Sequence, residues 1–441
     1  MAVVIDGTTG LTTSGSSSSG GGGVSTSTAL GGGALFTNSS GANLVAIGYQ
    51  AGYFTTAGPN VFVGSQAGYT NSTGTSNIGI GYQALYSNTT ASNNTAVGYQ
   101  AGYSGTTANN NSLFGYQAGY TATTGDTRLT AVGAQALYLN TTGVESVAVG
   151  RLALRSNTTG GASVAVGHEA LYSNTTASNN TAVGYQAGYT GSTNANGTFV
   201  GYQAGYATTG ASNVCVGMQS GSNISTGAGN AIFGTTAGGQ MTTGTHNTFI
   251  GSGIQGTNGG AGFYVTTGSK NTILGRYDGN SGGLDIRTLS NFIVLSDGDG
   301  NPRMFYEGDN NVWSAPQIYN STTGVGANVY VGSTGRLYRS TSSLKYKTNV
   351  QTATFGLVDV LKLRAVTYKG NGLDDSDKTY AGLIAEEVHE AGLTEFVQYA
   401  SDGTPDALSY GNMVSLCVKA IQELKTIVDA QAARIATLEA K

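Results

Sequence analysis

Apolar and polar positions alternate in runs of three or four residues that return with the same neighbours from Asn43 to Gly275. The unit is Asn-Thr-Ala-Val-Gly-Tyr-Gln-Ala-Gly-Tyr, as at Asn94 to Tyr103, and it recurs thirteen or fourteen times. The glycine after the apolar triplet marks the copies at Gly48, Gly64, Gly81, Gly98, Gly115, Gly133, Gly150, Gly167, Gly184, Gly201, Gly217, Gly234 and Gly251, with Gly275 after a longer gap. The spacing is 16 to 18 residues and mostly 17. A period this short, rich in Gly, Asn, Thr and β-branched residues, predicts a solenoid with one coil per repeat.

Side chains alternate between the two faces of a strand, so each column of the repeat has a facing. The residue before the marker is always large and apolar (Ile47, Val63, Ile80, Val97, Phe114 and onward to Ile250), and this column is expected to be the core. Three residues after the marker a small residue recurs at Ala51, Ala67, Ala84, Ala101, Ala118, Ala136, Ala153, Ala170, Ala187 and Ala204, where the opposite wall of a narrow coil must come close. Asn-Thr-Thr, Ser-Asn-Asn and Thr-Gly runs between strands supply turn chemistry. Thirteen coils about 4.8 Å apart give a rod roughly 60 Å long. One coil buries too little apolar surface to stand alone, so stability is expected from stacking and from lateral association of several chains.

The Val-Ala-Val-Gly alternation in Ser146 to Gly150 and Ser163 to Gly167 resembles the head repeat of YadA-type trimeric adhesins. Over about half the chain, that resemblance implies a left-handed parallel β-roll packed three-fold.

Only 10% of the 441 residues are charged, which suits a fibrous protein better than an ordinary globular one. The 71 glycines lack a three-residue period and so argue against collagen. A net charge of -4 gives no reason to expect nucleic acid as a partner. Cys215 and Cys417 form neither a disulfide framework nor a metal pattern, and both read as buried apolar fillers; no metal and no cofactor is expected. No signal-like segment opens the chain and no apolar run of about 18 residues is present, so neither general secretion nor membrane insertion is expected.

Four segments follow from these shifts. Residues 1–40 begin with a short strand-and-turn pattern and pass through the Ser/Gly tract Ser14 to Gly23, read as an attachment segment with a flexible joint. Residues 41–283 are the repeat array. Residues 284–341 carry new strand signals at Asn291 to Leu295, Met304 to Tyr306 and Val329 to Val331, a β-rich neck. Within it, Asp297-Gly-Asp299-Gly-Asn301 imitates a calcium loop, but the position that needs a bidentate carboxylate is Gly308, so a tight turn is expected.

Residues 342–441 differ in chemistry. Ser342-Ser343-Leu344-Lys345-Tyr346-Lys347, Leu357 to Lys369, Tyr380-Ala-Gly-Leu-Ile-Ala-Glu-Glu-Val388 and Leu408-Ser-Tyr410 together resemble the endosialidase-type C-terminal intramolecular chaperone of phage tail spikes and fibres. The family's opening motif is Ser-Asp-x-Arg-x-Lys; here Ser343 stands in place of Asp and Lys345 in place of Arg. The resemblance implies a serine-type self-cleavage between Thr341 and Ser342, with Ser342 as nucleophile and Lys347 as general base. That role needs a neutral amine, and burial or a cationic neighbour such as Lys345 would hold Lys347 below the usual lysine range. The alternative is a polar linker into an uncleaved oligomerisation domain.

The terminal segment spaces Val414, Cys417, Ile421, Leu424, Val428, Gln431, Ile435 and Leu438 by threes and fours, a heptad seam whose mixed Ile, Val and Leu suit a trimer. A fast-folding coiled coil would set the register for strands that are slow to pair. Cleavage after assembly would then trap the product kinetically.

A polysaccharide-cleaving site needs two suitably spaced carboxylates. Between Asn43 and Gly275 the repeats hold only Asp126, Glu145 and Glu169, and Arg128 shares its offset with Glu145, which favours a salt-bridged ladder. Arg151, Arg155, His168 and Glu169 depart from the repeat in adjacent coils and are expected to come together, as a subunit-contact network or a site for an anionic glycan. The recurring tyrosines could stack on sugar rings or on one another.

The sequence therefore leads to a mainly β, homotrimeric solenoid with a C-terminal α+β chaperone ending in a trimeric coiled coil. Its expected role is a tail fibre made in the host cytoplasm and carried on the virion. There it would be joined to a tail or virion assembly protein by its N-terminus and bind a host surface glycan or protein. A cellular trimeric adhesin or a purely structural shaft is the alternative.

Overall fold

The computed structural model describes residues 27–123, 125, 127–254, 259–310, 312–315, 329–331, 337–339, 348–369, 379–400 and 402–440. The chain divides into two compact units, residues 1–321 and 322–441.

The first unit is a mainly β solenoid of about 15 turns with about 17 residues per coil. Each coil contributes one short strand, from Thr28–Leu30 to Phe292–Ser296, and every strand pairs in parallel with the next. Register advances by one repeat, as in Thr95↔Ser112 and Ala96↔Leu113. The ladder thus begins at Thr28, within the stretch read as a linker, and runs on to Ser296, within the stretch read as a neck. It ends where the antiparallel strands Pro302–Glu307 and Val312–Ser314 fold back on it.

The marker glycine is required twice over. Gly98 has φ +141°, and a β-carbon there would fall inside the carbonyl oxygen of Gly115 in the next coil. No other residue meets both conditions.

The core lies one column away from where side-chain size placed it. Ile47, Phe114 and Ile250 are 37%, 40% and 44% exposed, whereas the preceding residues Ala46, Leu113 and Phe249 are buried. Alternation puts neighbouring residues on opposite faces but does not say which face is inside. The coil is so narrow that alanine fills it at Ala96, Ala131, Ala148, Ala165 and Ala182, and the larger side chains are turned outward. The Ala51 column is buried throughout, as expected.

Bulk inside is shared between the strand and the far wall. Where the strand supplies Ala131, Ala148 or Ala165, the wall supplies Leu137, Leu154 or Leu171, each fully buried with a positive φ. Where the strand supplies Phe62 or Phe199, the wall has Gly68 or Gly205. The asparagines read as turn residues are also internal. Asn60, Asn77, Asn94 and Asn111 form a buried ladder in which each side-chain oxygen accepts the next coil's backbone N–H at 2.8–3.0 Å. Asn140, Asn157 and Asn174 form another through their amides at 2.6 and 2.8 Å. Such ladders satisfy buried polar groups that would otherwise carry a desolvation cost.

The second unit holds helix α1 (Leu357–Val360), the hairpin Val366–Lys369/Thr379–Gly382, helix α2 (Ala385–Glu390), the hairpin Val397–Tyr399/Pro405–Leu408 and helix α3 (Tyr410–Glu439). Val388, Leu393, Phe396, Val397, Met413 and Leu416 form its core, with Phe355 edge-on to Phe396 at 5.0 Å. Glu423 on α3 accepts the backbone N–H of Leu357 at 2.8 Å and so ties α1 to the long helix. No helix among the described residues is long and apolar enough to cross a membrane.

Candidate functional site

The scissile pair Thr341–Ser342, the general-base candidate Lys347 and their neighbours Ser343 and Lys345 lie outside the described residues. Flanking segments do have the elements expected there: the apolar run from Leu357 leads into the strand Val366–Lys369, and Tyr410 opens the terminal helix.

That helix uses two faces differently. Met413, Leu416 and Ala420 are buried against the unit's own core. The seam residues face away: Val414, Ile421 and Leu438 are 61%, 65% and 62% exposed, and Cys417 is exposed with them. Cys417 is therefore not a buried filler, while Cys215 is, and burial pushes the Cys215 thiol up to about 12.

On the solenoid, positions one and five residues after the marker form two side-chain columns. The second is a nearly continuous stack: Tyr53, Tyr69, Tyr86, Tyr103, Tyr120 and Tyr138 have centroids 5.0–5.3 Å apart, and Tyr172, Tyr189 and Tyr206 continue it at 5.1 Å. Arg155 fills the rung between them, its guanidinium 5.5 Å from the Tyr138 ring and 5.7 Å from that of Tyr172. It is a cation between two π faces, and so is not grouped with the other three residues of the expected patch. Within the stack each tyrosine face meets another ring or Arg155, which closes the interior of this column to sugar stacking. Burial raises the phenols of Tyr86, Tyr120 and Tyr189 above the ordinary range.

The first column holds the rest of the patch. Arg151 Nη1 lies 2.8 Å from His168 Nε2. A guanidinium only donates, so Nε2 accepts and the neutral imidazole carries its proton on Nδ1. Nδ1 makes no hydrogen bond, and sits 3.8 Å from the Glu169 carboxylate. Glu169 in turn accepts the amide of Gln186 at 2.8 Å. His168 stacks on Tyr185 with centroids 5.4 Å apart. Arg128 and Glu145 form the expected ion pair at 2.5 Å. Asp297 closes the Asp297–Asn301 turn by accepting the N–H groups of Asp299 and Asn301 at 3.0 and 2.9 Å.

A glutamine ladder runs beside the first column. Gln66, Gln83, Gln100, Gln117 and Gln135 each donate to the glutamine one coil earlier at 2.9–3.1 Å. Sequence reading passed over this ladder, although its regular return two residues after the marker was visible.

Comparison with protein-family models, with curated proteins and with solved structures gives no match.

Proposed function

We propose that the chain is a homotrimeric tail fibre or appendage of a phage or phage-like particle. In this reading it attaches to a host surface and is matured by self-cleavage between Thr341 and Ser342. The observation that carries the reading is a pair of apolar surfaces exposed among the described residues. One is the outward strand face, where Ile47, Ile80, Phe114, Val132, Val183, Phe233 and Ile250 repeat along the solenoid. The other is the seam of α3. A contiguous apolar surface of this extent marks an interaction site, and a heptad seam takes copies of itself. The endosialidase-type motif set in the last hundred residues supplies the link to phage appendages, and with it the N-terminal junction to an assembly protein.

In this mechanism Ser342 Oγ attacks the Thr341 carbonyl carbon, Lys347 takes the hydroxyl proton and returns it to the departing amide nitrogen, and water hydrolyses the resulting ester. The products are residues 1–341 and 342–441. Denaturing electrophoresis with intact mass on the full-length chain beside Ser342→Ala tests it. Two fragments meeting at Thr341/Ser342, absent from the variant, are expected. One intact band in both would leave an assembly domain without peptidase activity.

A further inference from the structure

We propose that the solenoid carries a notch for a carboxylated sugar ring at the rung of Ala134, formed by the open face of Tyr116, the guanidinium of Arg151 and the amide oxygen of Gln135. This rests on the attachment reading and names the class of surface ligand.

The rungs are in register through their backbones. Gln135 N donates to Tyr116 O at 2.8 Å, Leu152 N to Ala134 O at 3.0 Å and Glu169 N to Arg151 O at 3.0 Å. On one side of Ala134 the first column is filled by Tyr82, Tyr99 and Tyr116, stacked at 5.2 and 5.3 Å. On the other it is filled by His168, Tyr185 and Tyr202 at 5.4 and 5.3 Å. Between them Ala134 offers only a methyl group, and Arg151 leans onto His168. One rung of the stack is empty. Two coil spacings separate the Tyr116 ring from the Arg151 level, about 10 Å, enough for one pyranose ring with contact distances of about 3.5–4 Å on each side.

Two further features meet at this rung. Arg151 is exposed, and no carboxylate lies within ion-pair distance of it among the described residues; Glu169 sits beyond the His168 ring. The glutamine ladder also stops here, because Leu152 follows Gln135. Gln135 Oε1 thus accepts no hydrogen bond among the described residues. The slot combines an aromatic face for the C–H face of a sugar, a cation for a carboxylate and an acceptor for a hydroxyl. A uronic acid carries its carboxylate directly on the ring and can meet all three. The other gap with an aromatic rung on one side and a small residue in it, at Ser65 between Tyr49 and Tyr82, has no charged neighbour in the column.

The test is titration calorimetry on the full chain with oligogalacturonate against a neutral galacto-oligosaccharide of equal length. The wild-type chain is expected to bind the galacturonate at least about tenfold more tightly, a difference of roughly 1.4 kcal/mol. Ala134→Tyr completes the stack and fills the notch, so it should abolish binding while leaving the melting temperature unchanged or raised. Arg151→Gln, at an exposed position, should erase the preference for the carboxylated ligand, and keeps the test available if Ala134→Tyr misfolds. Absence of galacturonate binding by the wild-type chain, equal affinity for the two sugars, or wild-type binding by a folded Ala134→Tyr overturns the proposal. Adsorption of the labelled chain to a panel of bacterial cells separates the two readings. Cell adsorption without galacturonate binding sinks the notch alone, and adsorption to no cell sinks attachment.

Discussion

The ring of Phe199 occupies the space that the missing β-carbon of Gly205 leaves open on the opposite wall of the same coil. Earlier coils solve the same packing the other way round, with Ala165 facing Leu171 and Ala148 facing Leu154. Phe199→Ala should cost about 3–5 kcal/mol of stability. Adding Gly205→Leu should recover a large part of that loss, because it recreates the Ala/Leu arrangement. A double-mutant cycle by chemical denaturation reads the coupling. Additive destabilisation would show that the two walls are not packed as partners.

The outward strand face and the inward one should answer a charge differently. Val132→Lys and Phe233→Lys place an ammonium where the single chain leaves the side chain half-exposed, so the circular dichroism of the solenoid should persist while association, measured by analytical ultracentrifugation, weakens. Ala148→Lys drives the same group into a buried column and should unfold the neighbouring coils. Unchanged association in both outward variants would remove that face from the assembly.

Cys417 lies on the exposed seam and Cys215 inside the solenoid. Oxidation with copper–phenanthroline should therefore give a covalent dimer band that depends on Cys417 and not on Cys215. In a trimer only two of three symmetric thiols can pair at once, so about one chain in three should stay monomeric on the denaturing gel. A band surviving Cys417→Ser would place the contact elsewhere.

Alkaline pH should destabilise the solenoid. Desolvation holds the thiol of Cys215 up to about 12 against an ordinary 9.0, and raises the phenol of Tyr277, which donates to the Leu284 carbonyl at 2.7 Å. The unfolded chain releases these protons first, so their contribution is complete below pH 9 and is lost as pH rises towards 12. Melting temperature should be level to about pH 9 and then fall, and Cys215→Ala should remove part of the fall. At the other end, the carboxyl of Asp297 is held down to about 2, first by the Asn301 N–H, and this contribution goes as pH drops through that value.

Much of this architecture was readable from the chain. The 17-residue period set the coil, and the alanine column at Ala51 located the far wall. The error at Ile47, Phe114 and Ile250 came from treating size as a measure of burial. In so thin a coil the inside accepts alanine, and the larger apolar side chains are turned outward. The asparagines misled for a related reason: Asn94 has turn chemistry as an isolated residue, and only its stacking on Asn77 makes it a core group. The open rung at Ala134 was a visible break in a tyrosine column. Its meaning depended on where Arg151 leans, which a one-dimensional pattern does not carry.

The register Thr248↔Thr272 spans 24 residues, while Ala231↔Thr248 just before it spans 17. Both place their strands in the same ladder. The extra residues fall between the marker Gly251 and the wall residue Ala261, and the wall then docks as in the other coils, Gly238 N donating to Ala261 O at 2.9 Å. Recombination that gains or drops a repeat would lengthen or shorten the molecule by one step of about 4.8 Å and change side-chain contacts only at the new junction.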